Sequence, residues 1–290
     1  MDAIPLPALA GQILIGLING AFYAMLSLGL AIIFGLLNLI NFTHGVQYMM
    51  GAFVAWMLLN WAGVGYWWAL LLAPVAVALL GMAMERLLLR HVYDADHAYG
   101  LLLTYGIALV IEGLFLAQFG SSGLSYPSPI EGGTRLSFAF VPHYRAWVVV
   151  ASLCACLAIW LLIERTRLGS YLRAASERPA LARALGINVP RIVTLTYGLG
   201  VGLAALGGVL AAPIYGVTPT MGSSIVIVVF AVVVIGGMGS IPGAIIAGFT
   251  LGVVEGLTKV FYPQAANTVI FLLMIIVLMI RPGGLLGEES

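Results

Sequence analysis

The stretch Glu164 to Arg191 reads E-R-T-R-L-G-S-Y-L-R-A-A-S-E-R-P-A-L-A-R-A-L-G-I-N-V-P-R. It holds six of the twelve basic residues of a chain that is otherwise almost uncharged, and long apolar runs flank it on both sides. An arginine-rich loop between apolar spans stays on the cytoplasmic side of a membrane, so this stretch fixes the orientation of everything around it.

The rest of the chain agrees with a lipid environment. Of 290 residues, 62% are hydrophobic and 8% charged, with a mean hydropathy of +1.10. Too few polar side chains remain to cover a globular surface in water. A net charge of +1 leaves no basic face for nucleic acid. Met1 to Gly11 contains Asp2 and no Lys or Arg, so the basic start of a secretory leader is missing and the first apolar run is kept as a span. Cys154 and Cys156 fall about 200° apart on a helix and read as small apolar fillers meeting different neighbours.

A bilayer core about 30 Å thick needs about 20 apolar residues in helix. Nine segments qualify as candidates, near 10–34, 43–62, 66–88, 99–119, 146–163, 191–213, 223–237, 242–261 and 266–281. The seventh is short, so the expectation is an all-α polytopic bundle of eight or nine spans forming one domain, 1–290. With 164–191 inside, alternation puts the N-terminus outside and the C-terminus in the cytoplasm. Arg86, Arg90, the six loop arginines and Arg281 then lie inside, against Arg135, Arg145 and Lys259 outside. That bias is the one the positive-inside rule requires.

The longest outer loop, Gly120 to Arg145, carries Pro127, Pro129, Gly132, Gly133 and Pro142 and reads as irregular surface or a short interfacial helix. Trp56, Trp61, Trp67, Trp68 and Tyr262 read as interface anchors. Gly248, Gly252 and Gly256 share one helix face, as do Gly198 and Gly202, and form seams where another helix can approach closely, of this chain or of a partner. Two stretches join helix breakers to polar groups: Gly35 to Gly45, with Asn38, Asn41, Thr43 and His44, and Gly236 to Gly243, with Ser240 and Pro242. Broken helices in both halves of a chain point to a transport path.

Ionisable groups at membrane depth are the remaining candidates. Glu112 has no neighbour in sequence to pair with, and either an interhelical hydrogen bond or an aqueous cavity would explain it. Glu255 precedes Lys259 by four residues, a favourable helical pair. Glu85 and Arg86 read as residues reaching for the interface. His44, beside Asn41 and Thr43, fits a polar group holding a helix break, a substrate contact or a proton carrier; without a second His at i+3 or i+4, metal binding is not expected.

Within the polar island, Ser176 can cap a helix of about nine residues, with Glu177 in its first turn, Pro179 tolerated there and Gly186 ending it. On a helical wheel Ala180, Leu181, Ala184 and Leu185 share one face; Arg178, Ala182 and Arg183 share the other. So short a helix needs a surface to dock on.

The run R-A-A-S-E-R-P-A-L-A-R-A-L-G-I-N resembles the cytoplasmic coupling segment of ATP-binding-cassette importer permeases, in particular those of the branched-chain amino acid permease family. Glu177, Ala180, Ala184 and Gly186-Ile187 occupy characteristic positions, while Arg178 and Pro179 depart from the wider E-A-A opening. The stretch Gly16 to Gly45, with Asn19, Gly20, Tyr23, Ala24, Gly29, Phe34, Gly35, Asn41, Phe42, His44 and Gly45, is similar to the family's N-terminal signature. Val234 to Ala244 and Arg281 to Gly287 match as well. The short form looks like the first of the two permease subunits that such transporters pair.

The resemblance implies a bacterial inner-membrane subunit that moves branched-chain or related amino acids by alternating access. Its implied partners are a second homologous permease, two ATP-binding subunits and a periplasmic or extracellular substrate-binding protein. ATPase coupling would fall on Glu177, Ala180, Leu181, Ala184, Leu185 and Gly186, and the path on Asn41, Thr43, His44 and Glu112. No G-x-x-x-x-G-K-[ST] loop is present, so ATP would be bound by the partners and no cofactor by this chain. The absence of H-E-x-x-H and G-x-S-x-G speaks against a hydrolase. The rival class is a stand-alone secondary transporter or channel for a small polar solute, whose coupling carboxylate would be Glu112.

Overall fold

The computed structural model describes residues 6–37, 40–93, 95–135 and 140–287. The fold is all-α. Eleven helices are present among the described residues: α1 Leu6–Leu37, α2 Thr43–Ala62, α3 Tyr66–Leu87, α4 His97–Phe119, α5 His143–Arg165, α6 Arg167–Glu177, α7 Pro179–Ala184, α8 Val189–Tyr215, α9 Met221–Gly236, α10 Ile241–Phe261 and α11 Ala266–Ile280. Each of the nine apolar segments is a helix. Six of them, α1, α3, α4, α5, α8 and α10, are long and apolar enough to cross a membrane. Helix α2 carries His44, Gln47 and Asn60, which dilute its apolar character. At 1.5 Å per residue, the 16 residues of α9 and the 15 of α11 rise about 24 and 22 Å, less than a bilayer core.

The chain divides into two compact units. The first comprises Met1–Leu28, Ser128–Cys156 and Val228–Ser290. Its core gathers Ala231, Val232 and Ile235 of α9, Ala247 and Leu251 of α10, and Ile270 of α11. The α10 glycines face α1: a Cβ at Gly248 would stand 2.6 Å from Ala24 Cα, and one at Gly252 2.5 Å from Gly20 Cα. Only a missing side chain lets two backbones come this close. The α10 seam is therefore filled by this chain's own first helix and gives no support for a partner subunit.

The α9–α10 turn is also closed from within. Gly237 and Gly239 take positive φ of 105° and 86°, and Ser240 caps α10 by accepting from Gly243 N–H. The tail after α11 folds back, so that Leu285 N–H donates to Ile235 O (2.8 Å) and Leu286 N–H to Gly236 O (3.1 Å). The blocks Val234 to Ala244 and Arg281 to Gly287 thus meet in space. Glu255, buried on α10, accepts from Lys259 Nζ (2.5 Å) and from the Tyr23 hydroxyl (2.9 Å). The pairing expected at i+4 is present, with a tyrosine added from α1.

The second unit comprises Gly29–Pro127 and Leu157–Ile227. Helix α8 runs between α2 and α3, and Ile33, Val77, Leu89, Tyr197, Val201 and Ala205 form its core. Gly198 packs on Met82 and Gly202 faces Ala78 and Pro74, so this second seam is also internal. Phe53 packs against Phe115 and Phe119 with tilted rings where α2 meets α4.

Among the described residues, the loop Gly120 to Arg145 contains no helix before His143. It instead forms an antiparallel hairpin, β1 Gly133–Arg135 with β2 Phe140–Pro142. Pro127, Pro129 and paired glycines break helical hydrogen bonding, while short extended segments tolerate them. Trp61, Trp67, Trp68 and Tyr262 are exposed, as interface anchors would be. Asp2 and Asn38, used above for the N-terminus and for the first break, lie outside the described residues.

Candidate functional site

The polar island folds as two helices in place of one. Thr166 caps α6, accepting from Leu168 N–H (3.2 Å), and α6 continues through Ser176 and Glu177. Ser176 is therefore no N-cap; its hydroxyl donates to Arg173 O (3.1 Å). The break falls at Arg178, with φ −139° and ψ 72°, because Pro179 Cδ excludes the helical conformation from the residue before it. Pro179 then opens α7, whose six residues close with Gly186 at φ 84°. Gly186 N–H donates to Arg183 O and Ile187 N–H to Ala182 O, each at 3.0 Å, the paired bonds of a Schellman motif. Asn188 caps α8, accepting from Arg191 N–H (3.1 Å).

The helical wheel misplaces one residue. Ala182, grouped above with the arginines, is 2% exposed and packs with Leu36, Ala175, Val189 and Ile192. Its lack of a long side chain lets α7 lie on the ends of α1, α6 and α8. Leu181 and Leu185 point away and are 52% and 74% exposed. Glu177, Ala180, Ala184 and Gly186 are exposed as well. All six residues assigned to coupling are thus exposed, as are Arg178 and Arg183, and Leu181 and Leu185 are the large apolar side chains among them.

The first helix break gathers a second cluster. Asn41 Oδ1 accepts from the N–H of Thr43 (3.1 Å) and from its hydroxyl, holding the start of α2. Asn41 Nδ2 donates to the Tyr197 hydroxyl (3.2 Å), and Gln47 Nε2 donates to Tyr197 and to Thr43 Oγ1, both at 3.0 Å. Thr104 of α4 stands at the same break, its Oγ1 3.2 Å from Ile40 O and 3.1 Å from Leu101 O, and accepts from Phe42 N–H (3.4 Å). His44 is buried beside this group, with Cε1 3.1 Å from where a Gly29 Cβ would stand. Asn41, Thr43 and His44 are all under 3% exposed. In this conformation they brace a helix junction.

Tyr197 and Gln47 were not singled out in the sequence. Gln47 lies one turn after Thr43, a spacing that shares a helix face; Tyr197 looked like one more aromatic in an apolar run. Glu112 is half exposed on α4, and no hydrogen bond or ion pair to it occurs among the described residues. Of the two explanations, an interhelical bond to Asn or Thr is not formed there, and the aqueous cavity stays open. Glu85 does not reach for the interface at all. It is 0% exposed, whereas its neighbour Arg86 is exposed.

Comparison with known proteins places this arrangement. The profile of the family described as branched-chain amino acid transport system / permease component matches residues 12–279. The chain belongs to this family. This permease is 32% identical to the high-affinity branched-chain amino acid transport system permease protein LivH of Escherichia coli (strain K12), over 96% of each chain. It is 31% identical to the corresponding permease protein BraD of Pseudomonas aeruginosa, again over 96% of each. To the permease protein LivM of Escherichia coli (strain K12) it is 28% identical, over 91% of this chain and 67% of that one. The permease is thus a multi-pass membrane protein and a transport component. Its family match includes both helix breaks and the polar island.

Proposed function

We propose that this permease is one membrane subunit of an ATP-binding-cassette importer for branched-chain or related amino acids, a single transmembrane domain with its coupling loop at 164–191. The observation that carries the reading is the exposed apolar side chains of α7 within a chain matched by the permease family over 12–279. Two ATP-binding subunits would dock on Glu177, Ala180, Leu181, Ala184, Leu185 and Gly186, and their closure on ATP would move α7. A second permease would complete the membrane part, in keeping with the likeness to both LivH and LivM. A substrate-binding protein outside would deliver the solute. The placement is the bacterial inner membrane with eight or nine crossings, α9 and α11 being the short ones, N-terminus outside and C-terminus inside. Asn41, Thr43, His44 and Glu112 are the residues of this chain proposed to border the path as the helices move.

The test reconstitutes the permease in proteoliposomes with a second permease of the family, ATP-binding subunits and a binding protein from the same organism. Uptake of leucine, isoleucine, valine, urea, acetamide and benzoate is measured with and without internal ATP. ATP-dependent uptake of the first three supports the reading; uptake of another member of the panel corrects the substrate. Ala184→Glu, at an exposed position that tolerates the side chain, is expected to leave insertion and ATP hydrolysis intact and to abolish uptake. Wild-type uptake by that variant sinks the coupling assignment. The stand-alone transporter reading rests on Glu112, and it gains ground only if the chain alone supports proton- or sodium-driven uptake that Glu112→Gln removes.

A further inference from the structure

Glu85 ends α3 with its carboxylate wholly enclosed. Its Oε2 accepts from the Thr194 hydroxyl at 2.6 Å and its Oε1 from the Tyr93 hydroxyl at 3.0 Å, while Arg90 Nε lies 4.0 Å from Oε1. Burial, and next the Glu85 charge, hold the Tyr93 hydroxyl above the usual tyrosine range, so it stays protonated and can donate. Arg90 reaches on to Pro190 O (3.4 Å), and Thr194 Oγ1 also lies 3.0 Å from Pro190 O. The threonine has one proton, and the shorter bond to an ionised acceptor is the stronger claim on it.

These partners come from three places. Glu85 belongs to α3, Arg90 and Tyr93 to the turn that follows it, and Pro190 and Thr194 to the first turns of α8. Helix α8 starts five residues after α7 ends, and Val189 and Ile192 of its first turn share a core with Ala182 of α7. The first turn of α8 is thus gripped on two sides, by the underside of α7 and by Glu85. A buried carboxylate that loses a donor has no water to replace it, so the grip on the Glu85 side resists sliding more than apolar contact does. Apolar contacts alone would let α8 shift along α3, since one methyl contact replaces another.

Building on the coupling role proposed for α7, we infer that Glu85 is a positioning residue for energy coupling. It clamps the first turn of α8 to the end of α3, so that a displacement of α7 carries α3 and α8 together and is not lost as slip between them.

The experiment uses the complete reconstituted transporter and the solute of the panel above that it takes up best, reading solute accumulated per ATP hydrolysed. Thr194→Val keeps the shape and removes the hydroxyl; Thr194→Ser keeps the hydroxyl; Glu85→Gln removes the charge. Thr194→Val and Glu85→Gln are expected to lower uptake per ATP at least threefold with the ATPase rate within twofold of wild type, and Thr194→Ser to restore it. Should Thr194→Val fail to accumulate, Thr194→Ala, which removes the same hydroxyl from α8 without a branched side chain, is measured in its place against the same threefold threshold. An unchanged ratio overturns the clamp, and so does a proportional loss of ATPase and uptake, which marks a merely structural role. Ala184→Glu run in parallel separates the two ideas: if it uncouples while Thr194→Val does not, α7 couples without the clamp; if it too leaves the ratio unchanged, the coupling reading itself has failed.

Discussion

Replacing Gly252 with alanine adds a single methyl group to the face of α10 that meets α1. That carbon would stand 2.5 Å from both Cα and N of Gly20, where carbon contacts settle at about 3.5–4.0 Å. The shortfall is about 1 Å, and the obstacle is backbone, which cannot rotate aside as a side chain can. The helices must part, and overpacking of this kind costs about 1–3 kcal/mol. Alanine also favours helix over glycine by about 1 kcal/mol, which would mask part of the loss. Gly106 and Gly113 of α4 supply the reference, because a Cβ at either meets nothing within 4 Å while the helical gain is the same. Thermal unfolding in detergent, followed by circular dichroism, should place Gly252→Ala below Gly106→Ala and Gly113→Ala by the steric cost alone. At roughly 2–4 °C per kcal/mol for chains of 150–250 residues, the gap is several degrees. If Gly252→Ala melts with the α4 variants, α1 does not lie in the α10 seam.

Tyr197→Phe removes the hydroxyl that Asn41 and Gln47 share; with no water to replace it, a loss of about 1–3 kcal/mol is expected, and an unchanged melting temperature would show that the cluster does not brace the junction. Cys154 is exposed on α5 and Cys156 buried, so Cys156→Trp should overpack its surroundings at a cost of about 1–3 kcal/mol and melt below Cys154→Trp, and equal melting temperatures would reject the stated face of α5.

The apolar helices were legible because an uninterrupted apolar run long enough for a bilayer has few alternatives. What the runs touch was not. Gly248, Gly252 and Gly256 announce a close approach by their spacing, but spacing is silent on whether Gly20 of the same chain or a partner fills it. Ala182 shows the limit of the wheel: an alanine among arginines looks polar-faced by association, yet its small size is what lets α7 sit on Ala175 and Ile192. Arg178 was within reach, since the residue before a proline avoids the helical region, and that rule alone splits one expected helix into two. Glu85 was beyond reach, because the carboxylate is satisfied by Thr194, 109 residues away. A carboxylate at a span's end looks the same in sequence whether it meets water or a threonine.

The making of the first unit has a timetable of its own. Its α1 is synthesised first, and the α10 face it packs on emerges roughly 230 residues later, about 10–45 s at ordinary elongation rates. Until then α1 presents Gly16, Gly20 and Ala24 with nothing seated on them, a groove that any passing helix in the membrane can sample. Packing of α1 in this half must therefore wait for α10, and a stop codon before Ile241 should leave α1 without the helix it packs on.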